Sequence, residues 1–187
     1  SSDNITMKAM KDYFNKPSGR KAVSVSPFSS QFKYSGAAFE DGSYVLGAPE
    51  FVLREDYDNY REQIEQYSSE GYRVLVFGIY DGVIDGKALT GKVTPLGLVF
   101  LSNPIRKEAP ETFKYFENQG VEIKVISGDN PVTVSQVALQ AGIANADNYI
   151  DASTLTTDEA IEDAVLRYTV FGRVTPDQKR KFVRALK

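Results

Sequence analysis

The chain has 187 residues, 42% of them hydrophobic, enough for one large packed domain or two small ones. Its 22 Lys and Arg nearly balance 25 Asp and Glu, so a net charge of −3 supplies no basic face for a nucleic acid backbone or an anionic lipid surface. It has no Cys and no His, which excludes disulfides, thiolate or imidazole metal sites and any triad built on a histidine base.

In chain order, Ile5, Met7, Met10, Tyr13 and Phe14 make a helical stripe that ends at Asn15-Lys16-Pro17-Ser18-Gly19. The start, Ser1-Ser2-Asp3-Asn4, is polar and lacks the layout of a signal peptide. No run approaches the roughly 18 apolar residues of a membrane span, so the chain as given is expected to be a soluble, cytosolic, monomeric module. Strands are expected at 22–25, 33–39 and 43–46, with Asp41-Gly42 as the hairpin turn between the last two. A helix over 49–53 opens on Pro49, and another is expected over 57–69, stopping before Gly71. Strands at 72–79 and 93–101 follow. This first part reads as an antiparallel sheet with flanking helices.

The pattern changes near Asn103-Pro104. A helix over 108–119 stops at Gly120, and a strand over 121–126 runs into Ser127-Gly128-Asp129. Asn130 caps a helix over 131–141 that begins with Pro131 and ends at Gly142. Short strands at 149–150 and 169–171 flank a helix over 157–166. Thr175 and Gln178 have capping-box spacing at the start of the last helix. The alternation of strand and helix is that of a parallel, doubly wound sheet, and a domain boundary is expected near residue 101.

Without His or Cys, chemistry falls to carboxylates, Lys, Arg, hydroxyls and backbone N–H groups, a set suited to phosphate. Ser127-Gly128-Asp129 joins a strand's carboxyl end to a helix N-terminus, where ligands gather in open α/β sheets. By pattern alone it is first an ordinary capped turn and second a phosphate seat. Lys179 could reach the same sheet edge from the first turn of its helix, or be one more solvated helix lysine beside Arg180 and Lys181. Phe28 could stack on a nucleobase with Lys33 near a phosphate, or belong to the core. Arg73, on an otherwise apolar strand, needs an anionic partner, either a protein carboxylate or a nucleotide. Gly47-Ala48 allows either a ligand's close approach or a tight turn.

Taken in order, these segments resemble the P-type cation-transporting ATPases. Pro27-Phe28-Ser29-Ser30 through Lys33 looks like that family's adenine-stacking segment, and Leu46-Gly47-Ala48-Pro49-Glu50 is similar to its K-G-A-P-E motif. Gly71-Tyr72-Arg73-Val74 matches the segment that offers an Arg to ATP, and Asn103-Pro104-Ile105-Arg106 matches the D-P-P-R hinge. Ser127-Gly128-Asp129-Asn130-Pro131 resembles T-G-D-N-P, and Arg173-Val174-Thr175-Pro176 with Lys179 resembles R-V-x-P-x-x-K. The resemblance implies an antiparallel-sheet nucleotide-binding (N) domain over 1–101. It implies part of a haloacid-dehalogenase-like, Rossmann-type parallel-sheet phosphorylation (P) domain over 102–187.

By that resemblance Ser127, Gly128, Asp129 and Lys179 act on a phosphoryl group, and Phe28, Lys33, Gly47, Ala48, Arg73 and Arg173 bind the nucleotide. ATP is then the ligand. Mg²⁺ is expected to take its ligands mainly outside this chain, with no metal-ligating residue assigned within it. The partners implied are the transmembrane and actuator domains of the same polypeptide, at the cytoplasmic face of the cell membrane. Two departures stand out: Leu46 replaces the Lys of K-G-A-P-E, and Met7 stands where many members carry a Glu that meets adenine. The D-K-T-G-T motif with its phosphorylated Asp and the G-D-G-x-N-D segment are absent, so the chain alone is expected to be inactive. Two alternatives stay open: a soluble haloacid-dehalogenase-like phosphatase, and a regulatory module with a degenerate nucleotide site.

Overall fold

The structure, a computed structural model, describes residues 5–102 and 105–186. The Ser1–Asn4 start and the hinge residues Asn103 and Pro104 lie outside the described residues. The chain falls into two compact units. One runs up to Tyr57 and resumes at Leu75–Leu101; the other joins Asp58–Val74 to the stretch from Ser102 onwards. The first seam after Tyr57 lies well upstream of the boundary expected near residue 101, and the segment Asp58–Val74 groups with the later part of the chain.

The first unit begins with helix α1 (Ile5–Tyr13) and is built on an antiparallel sheet. Its strands are β1 (Ser24–Ser26), β2 (Tyr34–Phe39), β3 (Gly42–Gly47), β4 (Arg73–Tyr80) and β5 (Val93–Leu101), hydrogen-bonded in sequence order. The hairpin register pairs Phe39 with Gly42, so the turn is Glu40-Asp41, one residue before the expected Asp41-Gly42, and Leu46 of β3 lies opposite Phe77 of β4. Pro95 is tolerated because β5 is an edge strand.

One face of this sheet is packed and the other open. Val45, Val76 and Tyr80 are buried with Val52 and Leu53 of the short helix α2 (Pro49–Leu53). On the other face Tyr44 stacks on Phe77, ring centroids 5.8 Å apart, and Ile79 is exposed. The guanidinium of Arg20 lies 4.6 Å from the centre of the Phe39 ring and pairs with Asp41. The long connection 81–92 is pinned by three side chains. Arg54 donates to the carbonyls of Leu89 and Gly91, Tyr34 donates to that of Lys87, and the Tyr80 hydroxyl accepts from the N–H groups of Thr90 and Gly91. Burial alone would raise the Tyr80 pKa, but those donors and the Arg54 charge outweigh it and leave it lowered.

In the second unit, helix α3 (Arg61–Ser69) packs on α5 (Pro131–Gln140), and the Thr133 hydroxyl donates to the Tyr72 carbonyl at 3.1 Å. The sheet here is parallel, with β8 (Val170–Gly172) between β6 (Val125–Ile126) and β7 (Tyr149–Asp151). Successive residues of β8 point to opposite faces. Val170 packs with Val134 and Ala138 of α5 and with Phe113 of α4 (Ala109–Asn118). Phe171 packs with Ile161 and Val165 of α6 (Asp158–Arg167) and with Phe182 of α7 (Pro176–Ala185). Helices on both faces make the sheet doubly wound, and the α/β class read from the sequence holds.

Two further local expectations are corrected. The helix expected over 57–69 begins only at Arg61, because a 3₁₀ turn, Arg54–Asn59, takes up its first residues. Asp56, Asp58 and Asn59 favour such turns by competing for backbone groups. The strand expected over 121–126 enters the ladder only at Val125–Ile126, since β6 is an edge and Val121 and Glu122 are exposed. The helix expected at the start forms as α1 and buries no residue: Ile5 and Tyr13 stay more than 80% exposed, at 84% and 82%.

Candidate functional site

In the first unit the segment after Phe28 is a closed loop. Ser29 N–H donates to the Tyr34 carbonyl at 3.0 Å, Lys33 N–H returns to the Ser29 carbonyl at 2.8 Å, and Phe32 N–H meets the Ser29 hydroxyl at 3.1 Å. The closure puts Lys33 at φ +54, in the left-handed region where a side chain is strained, and leaves Phe28 43% exposed. Ala48 N–H then donates to the Lys33 carbonyl at 2.9 Å. Gly47 is required beside it, because a Cβ there would stand 2.5 Å from the Lys33 carbonyl oxygen and 2.6 Å from Tyr34 Cβ. Two motifs separated in sequence, Phe28 to Lys33 and Gly47-Ala48, are therefore one backbone-fitted surface. Leu46 is half-buried beside them, with Ser35 and Phe77 as cross-strand neighbours.

In the second unit the 127–129 loop leaves β6 at the carboxyl end of the parallel sheet. Asn130 caps α5 as expected, its side-chain oxygen accepting from Val132 N–H at 2.9 Å. Ser127 N–H donates to the Phe171 carbonyl at 2.9 Å, Val174 N–H to the Ser127 carbonyl at 2.9 Å, and Arg173 N–H to the Asp129 carbonyl at 2.7 Å. The loop is thus laced to the strand end that leads into α7. Gly172 permits this, since a Cβ at that position would run into the backbone of Pro131.

The Ser127 hydroxyl oxygen accepts from Asp129 N–H at 3.1 Å, which leaves its proton to be donated elsewhere. Gly128 is exposed, and among the described residues no backbone acceptor meets its N–H outside helices and strands. Asp129 Oδ1 pairs with Arg73 Nη2 at 2.9 Å, with about a third of each side chain exposed, 33% and 32%. Arg73 therefore has a carboxylate partner, as one of its two sequence readings requires. Lys179 is exposed, one turn into α7, and the capping box between Thr175 and Gln178 that orients this turn is complete.

Arg173 sits at φ +51 and its guanidinium pairs with Asp151, the last residue of β7. Burial would raise the Asp151 pKa, but the Ser153 hydroxyl and N–H and the Arg173 charge hold it below the ordinary carboxylate range. Sequence reasoning missed Asp151. The available signal was an acid at the carboxyl end of a strand followed two residues later by Ser, an Asx-turn spacing. Among the described residues no three His, Cys, Asp or Glu side chains cluster as a metal site would need.

The structure joins Phe28, Lys33, Gly47 and Ala48 to the first unit and Arg73, Ser127, Gly128, Asp129, Arg173 and Lys179 to the second. The donors of the second are those an anion requires: an exposed N–H, a hydroxyl proton and nearby cations.

Comparison with known proteins adds the family. The haloacid dehalogenase-like hydrolase family matches residues 6–187. The calcium-transporting ATPase CtpE of Mycobacterium tuberculosis is 40% identical over 185 residues, covering 98% of this chain and 23% of that protein. The probable cation-transporting ATPase exp7 of Streptococcus pneumoniae is 36% identical, again over 98% of this chain and 23% of its own length. The magnesium-transporting ATPase, P-type 1, of Salmonella typhimurium is 32% identical over 133 residues, 65% of this chain. The chain spans about a quarter of the length of the first two relatives, 23% in each case. It belongs to the haloacid dehalogenase-like hydrolases and is similar to a segment of cation-transporting P-type ATPases.

Proposed function

We propose, on this family membership, that the chain is the ATP-binding and phosphoryl-transfer portion of a P-type ATPase. The whole protein would couple ATP hydrolysis to cation transport, with this segment on the cytoplasmic face of a membrane. The transmembrane and actuator domains of the same polypeptide are then its partners. In this reading the first unit is the N domain and the later part of the chain belongs to the P domain. The observation that carries the proposal is the bonded juxtaposition, within one unit, of the 127–129 loop with the strand end entering α7.

The roles follow from the chemistry of each group. The exposed Phe28 ring stacks on adenine, an interaction available to any flat base. Lys33 and Arg73 offset phosphate charge, and Gly47 and Ala48 let the nucleotide approach the backbone. Gly128 N–H and the Ser127 hydroxyl donate to phosphoryl oxygens, while Asp129, held by Arg73, fixes the loop. Arg173 adds positive charge, and the Lys179 ammonium neutralises the group in transfer. The nucleophile is an Asp of the parent protein outside this chain. Mg²⁺ would screen the phosphates, and its ligands lie mainly with that Asp. Asp129 is engaged by Arg73, and no acidic cluster exists among the described residues.

Leu46 in place of a cation makes the expected affinity low, in the high micromolar to millimolar range, about −4 to −6 kcal/mol. Titration of the 187-residue chain with a non-hydrolysable ATP analogue, followed by NMR, tests this. Signals of Phe28, Lys33 and Arg73 should move; signals unmoved at millimolar ligand contradict the proposal, and submicromolar binding contradicts the affinity.

A further inference from the structure

Of the two non-glycine residues at positive φ in the second unit, Asn145 is of a type that tolerates it and Arg173 is not, so the Arg173 conformation calls for a cause. A non-glycine residue at φ +51 is strained by roughly 1 kcal/mol or more, and glycine would adopt the same backbone freely. The strain has a structural return. With Arg173 in that conformation, its own N–H reaches the Asp129 carbonyl at 2.7 Å and the next N–H reaches the Ser127 carbonyl at 2.9 Å, so both ends of the 127–129 loop are held from one place.

Asp151 holds the Arg173 side chain. One carboxylate oxygen, Oδ2, accepts from the guanidinium; the other, Oδ1, accepts from Ser153 N–H at 2.9 Å and from the Ser153 hydroxyl at 2.6 Å. Only about a quarter of each side chain of the pair is exposed, 27% for Arg173 and 26% for Asp151. The 3₁₀ turn that follows, Ala152–Thr154, is tied to the opposite neighbour as well. The Gln178 amide nitrogen donates to the carbonyls of Ala152 at 2.7 Å and Leu155 at 3.2 Å, and the Gln178 oxygen accepts from Thr175 N–H at 3.1 Å. This turn therefore braces both the residue that laces the loop and the first turn of the helix carrying Lys179.

We propose that Asp151 is a positioning residue of the phosphoryl site: its carboxylate fixes Arg173, and Arg173 in turn fixes the 127–129 loop in its anion-receiving shape. Asp151 acts through Arg173 and makes no contact with the ligand. This rests on the reading of that loop as a phosphate seat.

The test uses the 187-residue chain with Asp151→Asn, Asp151→Glu, Arg173→Lys and the Asn/Lys double variant. Amide hydrogen exchange at Arg173 and Val174 is read without ligand. Asn keeps the shape but loses the charge-assisted bond, so exchange at these two amides should rise about tenfold while amides of β2 and β3 stay unchanged. Titration with a non-hydrolysable ATP analogue is read at Gly128 and at Phe28. Asp151→Asn should weaken the Gly128 response about tenfold and leave the Phe28 response unchanged, Asp151→Glu should recover most of it, and the double variant should be no weaker than either single one. Unchanged exchange at Arg173 and Val174 overturns the proposal. So does an equal loss at Gly128 and Phe28, the mark of general destabilisation. A wild-type chain silent to nucleotide would remove the functional reading alone, since the exchange result still decides whether Asp151 governs the loop.

Discussion

The two units shape the edges proposed to meet a ligand by different means. The antiparallel unit relies on backbone fit: Gly47 against Lys33 and Tyr34, a strained Lys33, and an exposed aromatic at Phe28. The parallel unit relies on charge, with two Arg–Asp pairs, Arg73 with Asp129 and Arg173 with Asp151, at or beside the carboxyl ends of its strands. The difference follows from the sheets. A sheet covered on one face leaves apolar surface such as Phe77 and Ile79 open and can present a ring to a base. A sheet covered on both faces has only its strand ends available, where loops and helix termini concentrate donors and charge.

Four substitutions or conditions would break or sharpen this contrast. The largest effect is expected from Phe182→Ala, which empties the core side of the parallel sheet where that ring lies 4.7 Å from Phe171; thermal or denaturant unfolding should show a loss of about 4 kcal/mol. Next comes Gly47→Ala, whose Cβ has no room beside Lys33. It should cost about 2 kcal/mol in the same assay and also abolish nucleotide-induced shifts at Phe28, which ties backbone fit to binding. Arg73→Met should cost no more than about 1 kcal/mol of stability, since the pair is a third exposed, at 32% and 33%. The same change should reduce phosphate-dependent shifts at Gly128 severalfold in an NMR titration. If Arg73→Met leaves those shifts intact, charge is not what the parallel unit contributes.

The smallest effect is on pH. Asp151 has a lowered carboxyl pKa in the fold, so its contribution to stability is complete above about pH 4 and is lost as pH falls through the folded value. Unfolding curves collected from pH 6 down to pH 3 should converge for wild type and Asp151→Asn at the acid end. Parallel curves over that range would assign the acid sensitivity to other carboxylates.

Local chemistry made much of this fold legible. Pro49 starts α2, Asn130 caps α5, and Thr175 with Gln178 closes a capping box, all as their residue types dictate. The alternation of strand and helix after residue 105 identified the parallel sheet. Candidate site residues were legible where a motif carried them, as with Ser127 to Asp129, because glycine, hydroxyl and cap residues in one loop are a local pattern. What stayed hidden was non-local. Asp151 reads as a turn former until the fold brings Arg173 to it from a different strand, and no sequence window contains both. The same holds for Asp58–Val74, whose grouping with the later part of the chain depends on α3 meeting α5. The 3₁₀ turn Arg54–Asn59 that delays the start of α3 opens on an Arg54 at positive φ, which nothing in its residue type foretells.

The central claim is that base recognition and phosphate recognition are carried by different units of one nucleotide-handling chain. Parallel NMR titrations with adenosine, inorganic phosphate and a non-hydrolysable ATP analogue test it most directly. Adenosine should move Phe28 and Ala48, phosphate should move Ser127, Gly128 and Asp129, and the analogue should move both sets together with Lys33. Phosphate that perturbs neither Gly128 nor Asp129 at millimolar concentration, with adenosine equally silent at Phe28, would contradict the account.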